Sequence, residues 1–218
     1  MSYLGIIPAR GGSKGVPRKN IKTICGHPLI AWTIQAAKTS RLLDRCVVST
    51  EDAEIADIAK AYGAEILERP SELAADETIS RDVIAHALSV TKADHSVLLQ
   101  ATSPIRSAGL IDRAITAFQG GQWDSLATGF SHPLYPPHGV EHRRQDIEYV
   151  FVNDGSVIVS TSETVFNNSL FGQKAATLVT SREENVDIDD EFDFWLAEKV
   201  LEKLLAEGWD VAPVRVIK

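Results

Sequence analysis

Short apolar segments alternate with longer amphipathic ones along the first 130 residues, and this alternation most constrains the fold. Runs rich in Ile, Val and Leu predict strands at Leu4–Ile7, Arg45–Ser49, Glu65–Leu67, Ser96–Gln100 and Ser125–Thr128. Helical spacing of apolar residues predicts helices over Pro28–Lys38, from about 53 to 62, and over Ser80–Val90, Ser107–Phe118 and Phe192–Leu205. Strands joined by helices pair in parallel through right-handed crossovers, so the sequence predicts an α/β fold with a mostly parallel sheet.

The chain has 218 residues, of which 44% are hydrophobic, and we expect one α/β domain over residues 1–218. A formal net charge of −8 argues against nucleic acid as a partner. No signal peptide precedes the first strand, and no apolar run approaches the ~18 residues of a membrane span. We therefore expect a cytoplasmic protein that has no membrane partner.

Residues 131–172 depart from the alternation and are expected to form an appendage. A proline-rich stretch is followed by a strand at Tyr149–Val152, the turn signal Asn153-Asp154-Gly155 and a return strand at Ser156–Ser160. This pattern predicts a small β-hairpin outside the first sheet, acting as a lid or a subunit contact. A further edge strand is predicted at 210–217.

The loop after the first strand combines glycines with positive charge. Three glycines and four cations lie between Arg10 and Asn20: Gly11, Gly12, Gly15, Arg10, Lys14, Arg18 and Lys19. Glycines let backbone N–H groups approach an anion, and clustered cations in an acidic chain favour a bound polyanion such as a triphosphate. The spacing fits neither a P-loop nor the dinucleotide fingerprint. The alternative is a tight turn with solvated lysines.

A second signal is the pair of carboxylates at Asp187 and Asp189. If Val186–Asp189 is extended, Val186 and Ile188 face the core while both aspartates point to the other side. Two carboxylates near a triphosphate suit Mg²⁺, which completes its shell with phosphate and water. The alternative is that Asp189 or Asp190 only caps the following helix. Arg69 and Gln100 also follow predicted strands, where ligands bind in open α/β sheets.

The segment Ile7-Pro8-Ala9-Arg10-Gly11-Gly12-Ser13-Lys14-Gly15-Val16-Pro17-Arg18-Lys19-Asn20 resembles the opening motif of the acylneuraminate cytidylyltransferases. Arg69–Asp76 with Ser80 resembles the second motif of that family, and Leu98–Arg106 resembles the third. The resemblance implies a Rossmann-like nucleotide-diphospho-sugar transferase fold. It also implies a homodimeric, Mg²⁺-dependent enzyme that transfers CMP from CTP to the anomeric hydroxyl of an acidic nonulosonate and releases pyrophosphate.

Site residues follow from the same resemblance. Those implied to bind the nucleotide are Ala9, Arg10, Gly11, Gly12, Lys14, Lys19, Asn20, Arg69, Ser80 and Gln100. Gln100, Arg144 and Phe171 are implied to bind the sugar, and Asp187 and Asp189 to bind the metal. The implied catalytic residues are Arg10, Lys14, Asp187 and Asp189.

The sugar region departs from the family pattern, because Val152 and Ile158 stand where a basic residue and a tyrosine are usual. The sugar therefore stays open between N-acetylneuraminate, legionaminic acid, pseudaminic acid and other acidic sugars. Two rival functions also remain. One is a nucleotidyltransferase that acts on a different sugar or on a sugar phosphate, and the other is an inactive nucleotide-binding homologue.

Overall fold

A computed structural model describes residues 1–13, 15–134, 147–209 and 212–216. Its strands are β1 (Tyr3–Pro8), β2 (Thr23–Ile24), β3 (His27–Pro28), β4 (Arg45–Thr50), β5 (Glu65–Glu68), β6 (His95–Leu98), β7 (Ser125–Pro133), β8 (Tyr149–Thr161) and β9 (Ala175–Val179). Its helices are α1 (Leu29–Thr39), α2 (Ala53–Ala61), α3 (Ser80–Thr91), α4 (Leu110–Gln119), α5 (Ser162–Phe166) and α6 (Glu191–Ala206). The helices and strands predicted in the first 130 residues are all present, with ends that differ by a few residues.

The central sheet has the strand order β5-β4-β1-β6-β8-β7-β9. Strands β5, β4, β1 and β6 pair in parallel, β8 runs antiparallel to both β6 and β7, and β9 is parallel to β7. All strands except β8 therefore end at one edge. The chain leaves β1 for β4 on one side and later returns to β6 on the other, which creates a ligand crevice beyond the carboxyl ends of β1 and β6.

Alternation along β1 builds a core on each face of the sheet. Ile7 is buried in a cluster with residues of α1, α2 and α4, whereas Leu4 and Ile6 are buried in a second cluster with residues of α3. A third cluster joins the N-terminal loop to α6 and includes Val16, Ile24, Trp32 and Phe194. Burial of one such aliphatic side chain contributes about 1.5–3 kcal/mol, so the loop that follows β1 is anchored by its own apolar residues.

The hairpin expected at Asn153-Asp154-Gly155 is wrong. Residues 149–161 form one strand, in which residues 154–157 bulge opposite Thr128 because the register shifts between Ala127 and Gly129. The Thr128 hydroxyl donates to Asp154 Oδ1 at 2.7 Å and accepts from the Val157 N–H at 2.9 Å. The bulge thus satisfies its polar groups through tertiary contacts that the local sequence does not reveal.

The expectation that this segment lies outside the first sheet is also wrong, because Ile158–Thr161 pairs with β6. Gly129 still pairs with Val179 of β9, and within the described ranges only Phe130–Pro133, paired with residues 149–152, extends beyond the sheet as a two-stranded arm. Residues 135–146, which include Arg144, lie outside the described residues. A lid or subunit contact in this segment stays a prediction, as does the single-domain organisation.

Two other differences concern extended segments. Val186–Asp189 has no strand partner, yet Val186 and Ile188 are buried while Asp187 and Asp189 are exposed, so the expected alternation is present without a sheet. Residues 212–216, the described part of the predicted C-terminal strand, do not form a strand. Strand β9, which the sequence analysis did not predict, occupies the sheet edge instead. In the described ranges, no helix is long and apolar enough to cross a membrane.

Candidate active site

A cleft of about 390 Å³ lies beyond the carboxyl ends of β1 and β6. Its floor is formed by the residues that follow these strands, one wall by the segment between β5 and α3, and the other by the N-terminal loop and Asp189. The predicted site residues that line it are Arg10, Lys19, Asn20, Arg69, Ser80, Gln100 and Asp189. The volume falls in the range that holds small-molecule ligands.

Acidic residues at the start of α2 hold the N-terminal loop. The Gly11 N–H donates to Glu51 Oε1 at 2.8 Å, and Arg18 donates to Asp52 at 2.5 and 3.1 Å and to Glu54 at 2.6 Å. The hydrogen bond from Arg18 lowers the pKa of Asp52, while burial opposes it. Arg18 was grouped with the cations expected to face a polyanion. The structure instead makes it an anchor of the loop.

Two guanidinium groups stand on the cleft wall. Arg10 Nη1 lies 3.0 Å from Asp76 Oδ1 and donates to the Ala75 carbonyl at 3.2 Å. Arg69 is buried, donates to Ser49 and lies 3.9 Å from Glu51 Oε2. Burial lowers the pKa of Arg69, and nearby Arg10 acts in the same direction while Glu51 opposes both. Two cations held together at a cleft favour a ligand that carries several negative charges.

The N-terminal loop and the acidic segment meet at this cleft. Lys19 Nζ donates to the Ile188 carbonyl and lies 4.0 Å from Asp189 Oδ1. A Cβ atom on Gly15 would lie 2.1 Å from the Asp189 carbonyl oxygen, so only glycine permits this approach. The two predicted signals, from opposite ends of the chain, therefore belong to one site.

The segment after β6 forms hydrogen bonds with the segment that contains Asp187 and Asp189. The Ile188 N–H donates to the Thr102 carbonyl at 2.9 Å, and the buried Ser103 hydroxyl lies 3.4 Å from Asp187 Oδ1. Asp190 caps α6, since its Oδ1 accepts from the N–H groups of Phe192 at 2.8 Å and Asp193 at 3.0 Å. The capping alternative thus applies to Asp190 and leaves both Asp187 and Asp189 exposed to the solvent.

The carboxylates of Asp187 and Asp189 fit Mg²⁺ as ligands only when a phosphate completes the coordination shell. Asp187 and Asp189 offer hard carboxylate oxygens, and the Asp189 side chain is 89% exposed at the cleft. Over the described ranges, no group of three or more His, Cys, Asp or Glu residues could hold a metal by itself. Mg²⁺ characteristically uses one or two carboxylates together with substrate phosphates and water.

Within the described ranges, the other predicted site residues do not line the cleft. Ala9 is buried and its N–H donates to the Ser49 carbonyl at 3.0 Å; Gly11 packs against Asp52, where a Cβ would lie 2.4 Å from Oδ2. Gly12 and Asp187 are not lining residues, and Phe171 is 45% exposed in the loop after α5. Lys14 and Arg144 lie outside the described residues. The functional roles of all these residues stay predictions.

Sequence reasoning missed several residues of the site. Ser13, Gly15, Thr78 and Thr102 line the cleft, and Glu51 accepts from the loop. Gly15 was predicted only as one of the loop glycines and Thr102 only as part of a quoted motif, and neither was named as a site residue. In retrospect, the position of Glu51 could have been predicted. It lies between a parallel strand and the helix that follows, and residues at such positions lie at the same edge of the sheet as the loop after β1.

A mostly parallel sheet with a cleft beyond the carboxyl ends of its strands is typical of α/β proteins that bind ligands such as nucleotides. The sequence model of the family described as "Cytidylyltransferase" matches residues 4–206. The chain belongs to this cytidylyltransferase family, whose members are nucleotidyltransferases.

Curated relatives agree with this assignment. The chain is 31% identical to the N-acylneuraminate cytidylyltransferase of Escherichia coli over 92% of its own length and 52% of the relative. It is 31% identical to a pseudaminic acid cytidylyltransferase of Campylobacter jejuni over 95% of its length and 99% of the relative. The chain thus spans about half of the Escherichia coli enzyme and nearly all of the Campylobacter one.

Solved structures share the fold at low sequence identity. A CMP:2-keto-3-deoxy-manno-octonic acid synthetase complexed with CTP has a TM-score of 0.74 at 12% identity, covering 93% of this chain and 99% of that one. A cytidylyltransferase from Leptospira borgpetersenii has a TM-score of 0.68 at 14% identity, covering 100% and 99%. The expected nucleotide-diphospho-sugar transferase fold is confirmed.

Proposed function

We propose that this protein transfers CMP from CTP to the anomeric hydroxyl of an acidic nonulosonate sugar and releases pyrophosphate. The observation that carries the proposal is the meeting of Lys19 with Asp189 in a cleft that also presents Arg10 and Arg69. Cations and carboxylates gathered at one place suit a metal-bound triphosphate. The names of the curated relatives support the choice of cytidine nucleotide and of an acidic sugar.

In the proposed complex, the triphosphate lies against the N-terminal loop. Arg10 exchanges its contact with Asp76 for the phosphates, and Lys19 adds positive charge from the wall that it shares with Asp189. Lys14 keeps its predicted role as a further cation that binds the triphosphate. Arg69 and Ser80 contact the nucleoside portion from the wall that begins after β5 and ends at the start of α3, where the structure has them lining the cleft. Each of these cations counters charge that shifts onto the leaving pyrophosphate during transfer.

The reaction needs alignment more than covalent work by the protein. The sugar hydroxyl oxygen forms a bond to the α-phosphorus, the bond from that phosphorus to the bridging oxygen breaks with its electron pair left on pyrophosphate, and the hydroxyl proton passes to the solvent. Gln100 lies between the nucleotide and the sugar and orients both. Asp187 and Asp189 would hold Mg²⁺, which neutralises phosphate charge and favours ionisation of the attacking hydroxyl.

A direct assay tests this function. The protein is incubated with CTP, Mg²⁺ and a panel of nonulosonates, with mass detection of CMP-sugar and a parallel pyrophosphate assay. We expect equal amounts of CMP-sugar and pyrophosphate with at least one acidic sugar. Binding of CTP without turnover of any panel member would reject the proposal in favour of an inactive homologue.

The sugar-facing region favours a second candidate, transfer to a different sugar or a sugar phosphate. Ile158 is 3% exposed in the core between β6 and β7, so it offers no surface to a ligand, and Val152 lies on the exposed arm. A pocket without the usual phenol and cation would hold its substrate differently. Pyrophosphate release with all four nucleoside triphosphates and a panel of sugar phosphates separates the two candidates.

The proposed enzyme is a homodimer in the cytoplasm, where nucleoside triphosphates are made. The two-stranded arm supports the dimer, since its exposed Tyr149, Val150 and Val152 extend beyond the sheet. Sedimentation analysis with the charge-introducing variant Val150→Glu tests it. We expect a dimer for the wild type and a monomer for the variant, and a wild-type monomer would contradict the proposal.

A further inference from the structure

Arg106 is a completely buried cation directly beneath the cleft. Its side chain is among the largest that the fold fully encloses, with the residue only 1% exposed. Nε and Nη2 donate to the Ser156 carbonyl at 3.0 and 2.9 Å, Nη1 donates to Thr33 Oγ1 at 2.8 Å, and Nη2 donates to the Gln100 carbonyl at 2.6 Å. One guanidinium therefore joins helix α1, the β8 bulge and the residues that follow β6.

The same bulge also encloses the side chain of Gln100. Gly155 has a φ of +68°, and a Cβ built on it would lie 2.7 Å from Gln100 Oε1. The Thr102 hydroxyl lies 3.4 Å from that same oxygen. The hydrogen bond from Arg106 thus holds the backbone carbonyl of Gln100, while Gly155 and Thr102 lie against its side-chain amide.

A buried charge that lies outside the lining of the cleft needs an explanation. Burial lowers the pKa of Arg106 to about 10, opposed by the negative charges of Asp154, Asp187 and Glu184. Its hydrogen bonds to Ser156, Thr33 and Gln100 all go to neutral oxygens, and an apolar side chain of similar volume would avoid the desolvation cost. What the planar guanidinium supplies is a fixed geometry between three separate elements.

We propose that Arg106 is a positioning residue that acts through Gln100, by locking its backbone and the Gly155 bulge so that its amide faces the transferred groups. This inference rests on the proposed function, because it assigns Gln100 a place between nucleotide and sugar. It predicts that disturbance of Arg106 impairs use of the sugar while the nucleotide contacts of Arg10 and Arg69 persist.

The first test is the conservative variant Arg106→Lys, which keeps the charge and loses the planar fork. We expect kcat/KM for the sugar to fall about tenfold or more, while the Kd for CTP stays within about threefold of the wild type. The control is Ile115→Val in α4, a core substitution outside the cleft, which should leave kcat/KM unchanged. Thermal unfolding of both variants shows whether they are folded.

A double-mutant cycle with Gln100→Ala tests whether the effect of Arg106→Lys on kcat/KM depends on the Gln100 side chain. If Arg106 acts through Gln100, Arg106→Lys should cost no more than about twofold in the Gln100→Ala background. An equal loss in both backgrounds, or wild-type kcat/KM in Arg106→Lys, would overturn the proposal.

Should Arg106→Lys fail to fold, a second variant, Thr33→Val, removes one hydrogen-bond partner of the guanidinium in α1. It should reduce kcat/KM when Gln100 is present and leave it unchanged in the Gln100→Ala background. Full kcat/KM in that variant would also overturn the proposal.

A measurement without turnover separates this inference from the proposed function. The side-chain amide signals of Gln100 in a ¹⁵N–¹H spectrum are assigned by their loss in Gln100→Ala. They should shift or broaden in Arg106→Lys or Thr33→Val and stay in place in Ile115→Val. Unmoved signals would reject the positioning role, whereas absence of wild-type turnover on any acidic sugar would reject only the proposed function.

Discussion

The ammonium nitrogen of Lys19 lies 4.0 Å from Oδ1 of Asp189, and this contact joins the N-terminal loop to the acidic segment that precedes α6. The topology explains the meeting. The N-terminal loop follows β1 and the acidic segment follows β9, and the carboxyl ends of these two strands lie at the same edge of the sheet. The Ile188 N–H also donates to the carbonyl of Thr102, which follows β6. A ligand in the cleft therefore faces cations and carboxylates at once.

The variant Asp189→Asn should lose Mg²⁺-dependent turnover by about 10²-fold or more while the fold persists, because an amide is a poor ligand for Mg²⁺. Asp190→Asn is the matched control, since the neighbouring side chain caps α6 and asparagine also caps helices well. Turnover measured across a Mg²⁺ titration checks both variants. Equal activity of Asp189→Asn and the wild type would refute the metal role.

The variant Arg10→Ala should reduce kcat by about 10²-fold, because Arg10 supplies positive charge to the transferring phosphates. Its control is Arg45→Ala, which removes an exposed guanidinium paired with Glu65 at the other edge of the sheet. Steady-state kinetics and thermal unfolding are measured together. A loss of thermal stability without a loss of kcat would return Arg10 to a structural role.

The variant Gly15→Ala should weaken CTP binding and turnover by about tenfold, because its Cβ would force the Asp189 carbonyl away from the loop. Gly120→Ala serves as the control, since its Cβ would meet Ala117 at an ordinary 3.4 Å. Calorimetric titration with CTP and Mg²⁺ measures the effect. Wild-type affinity in Gly15→Ala would show that the close approach is dispensable.

Acid should weaken the anchor between Arg18 and Asp52. The hydrogen bond from Arg18 lowers the pKa of Asp52 below 3.8, so its contribution to stability is complete above that value and disappears as pH falls through the lowered pKa. Asp52→Asn keeps the helix cap without the charge. The wild type should therefore have the higher Tm at pH 7, and the difference should shrink toward pH 3.

A control for this anchor is Asp57→Asn on the same helix, which disrupts an exposed pair with Lys60. That variant should track the Tm of the wild type at both pH values. A constant gap between wild type and Asp52→Asn from pH 7 to pH 3 would contradict the role of the Asp52 charge.

Local patterns predicted the elements that decide the fold. The apolar run Leu4–Ile7 predicted a strand, which the structure has as β1, buried on both faces. Alternation at Val186 and Ile188 correctly placed Asp187 and Asp189 on the exposed side. These features depend on neighbours in sequence, which is why the sequence reveals them. Because parallel strands end at one edge of the sheet, the sequence also predicted that Arg69, Gln100 and the loop after β1 lie close together.

The failures arose where distant residues override a local signal. Asn153-Asp154-Gly155 has the composition of a tight turn, but Thr128 from β7 fills the bulge and keeps the strand continuous. Arg18 has the same local context as the other loop cations, yet Asp52 and Glu54 at the start of α2 bind it. Burial of Arg106 likewise depends on partners from three separate elements.

The most direct test is a crystal structure of the protein with CTP and Mn²⁺ in place of Mg²⁺, in which anomalous scattering locates the metal. We expect one Mn²⁺ at coordination distance from Asp187 or Asp189 and from a phosphate oxygen, with Arg10 on the same triphosphate. A metal bound only to the nucleotide and remote from both aspartates, or a triphosphate that does not contact the N-terminal loop, would contradict it.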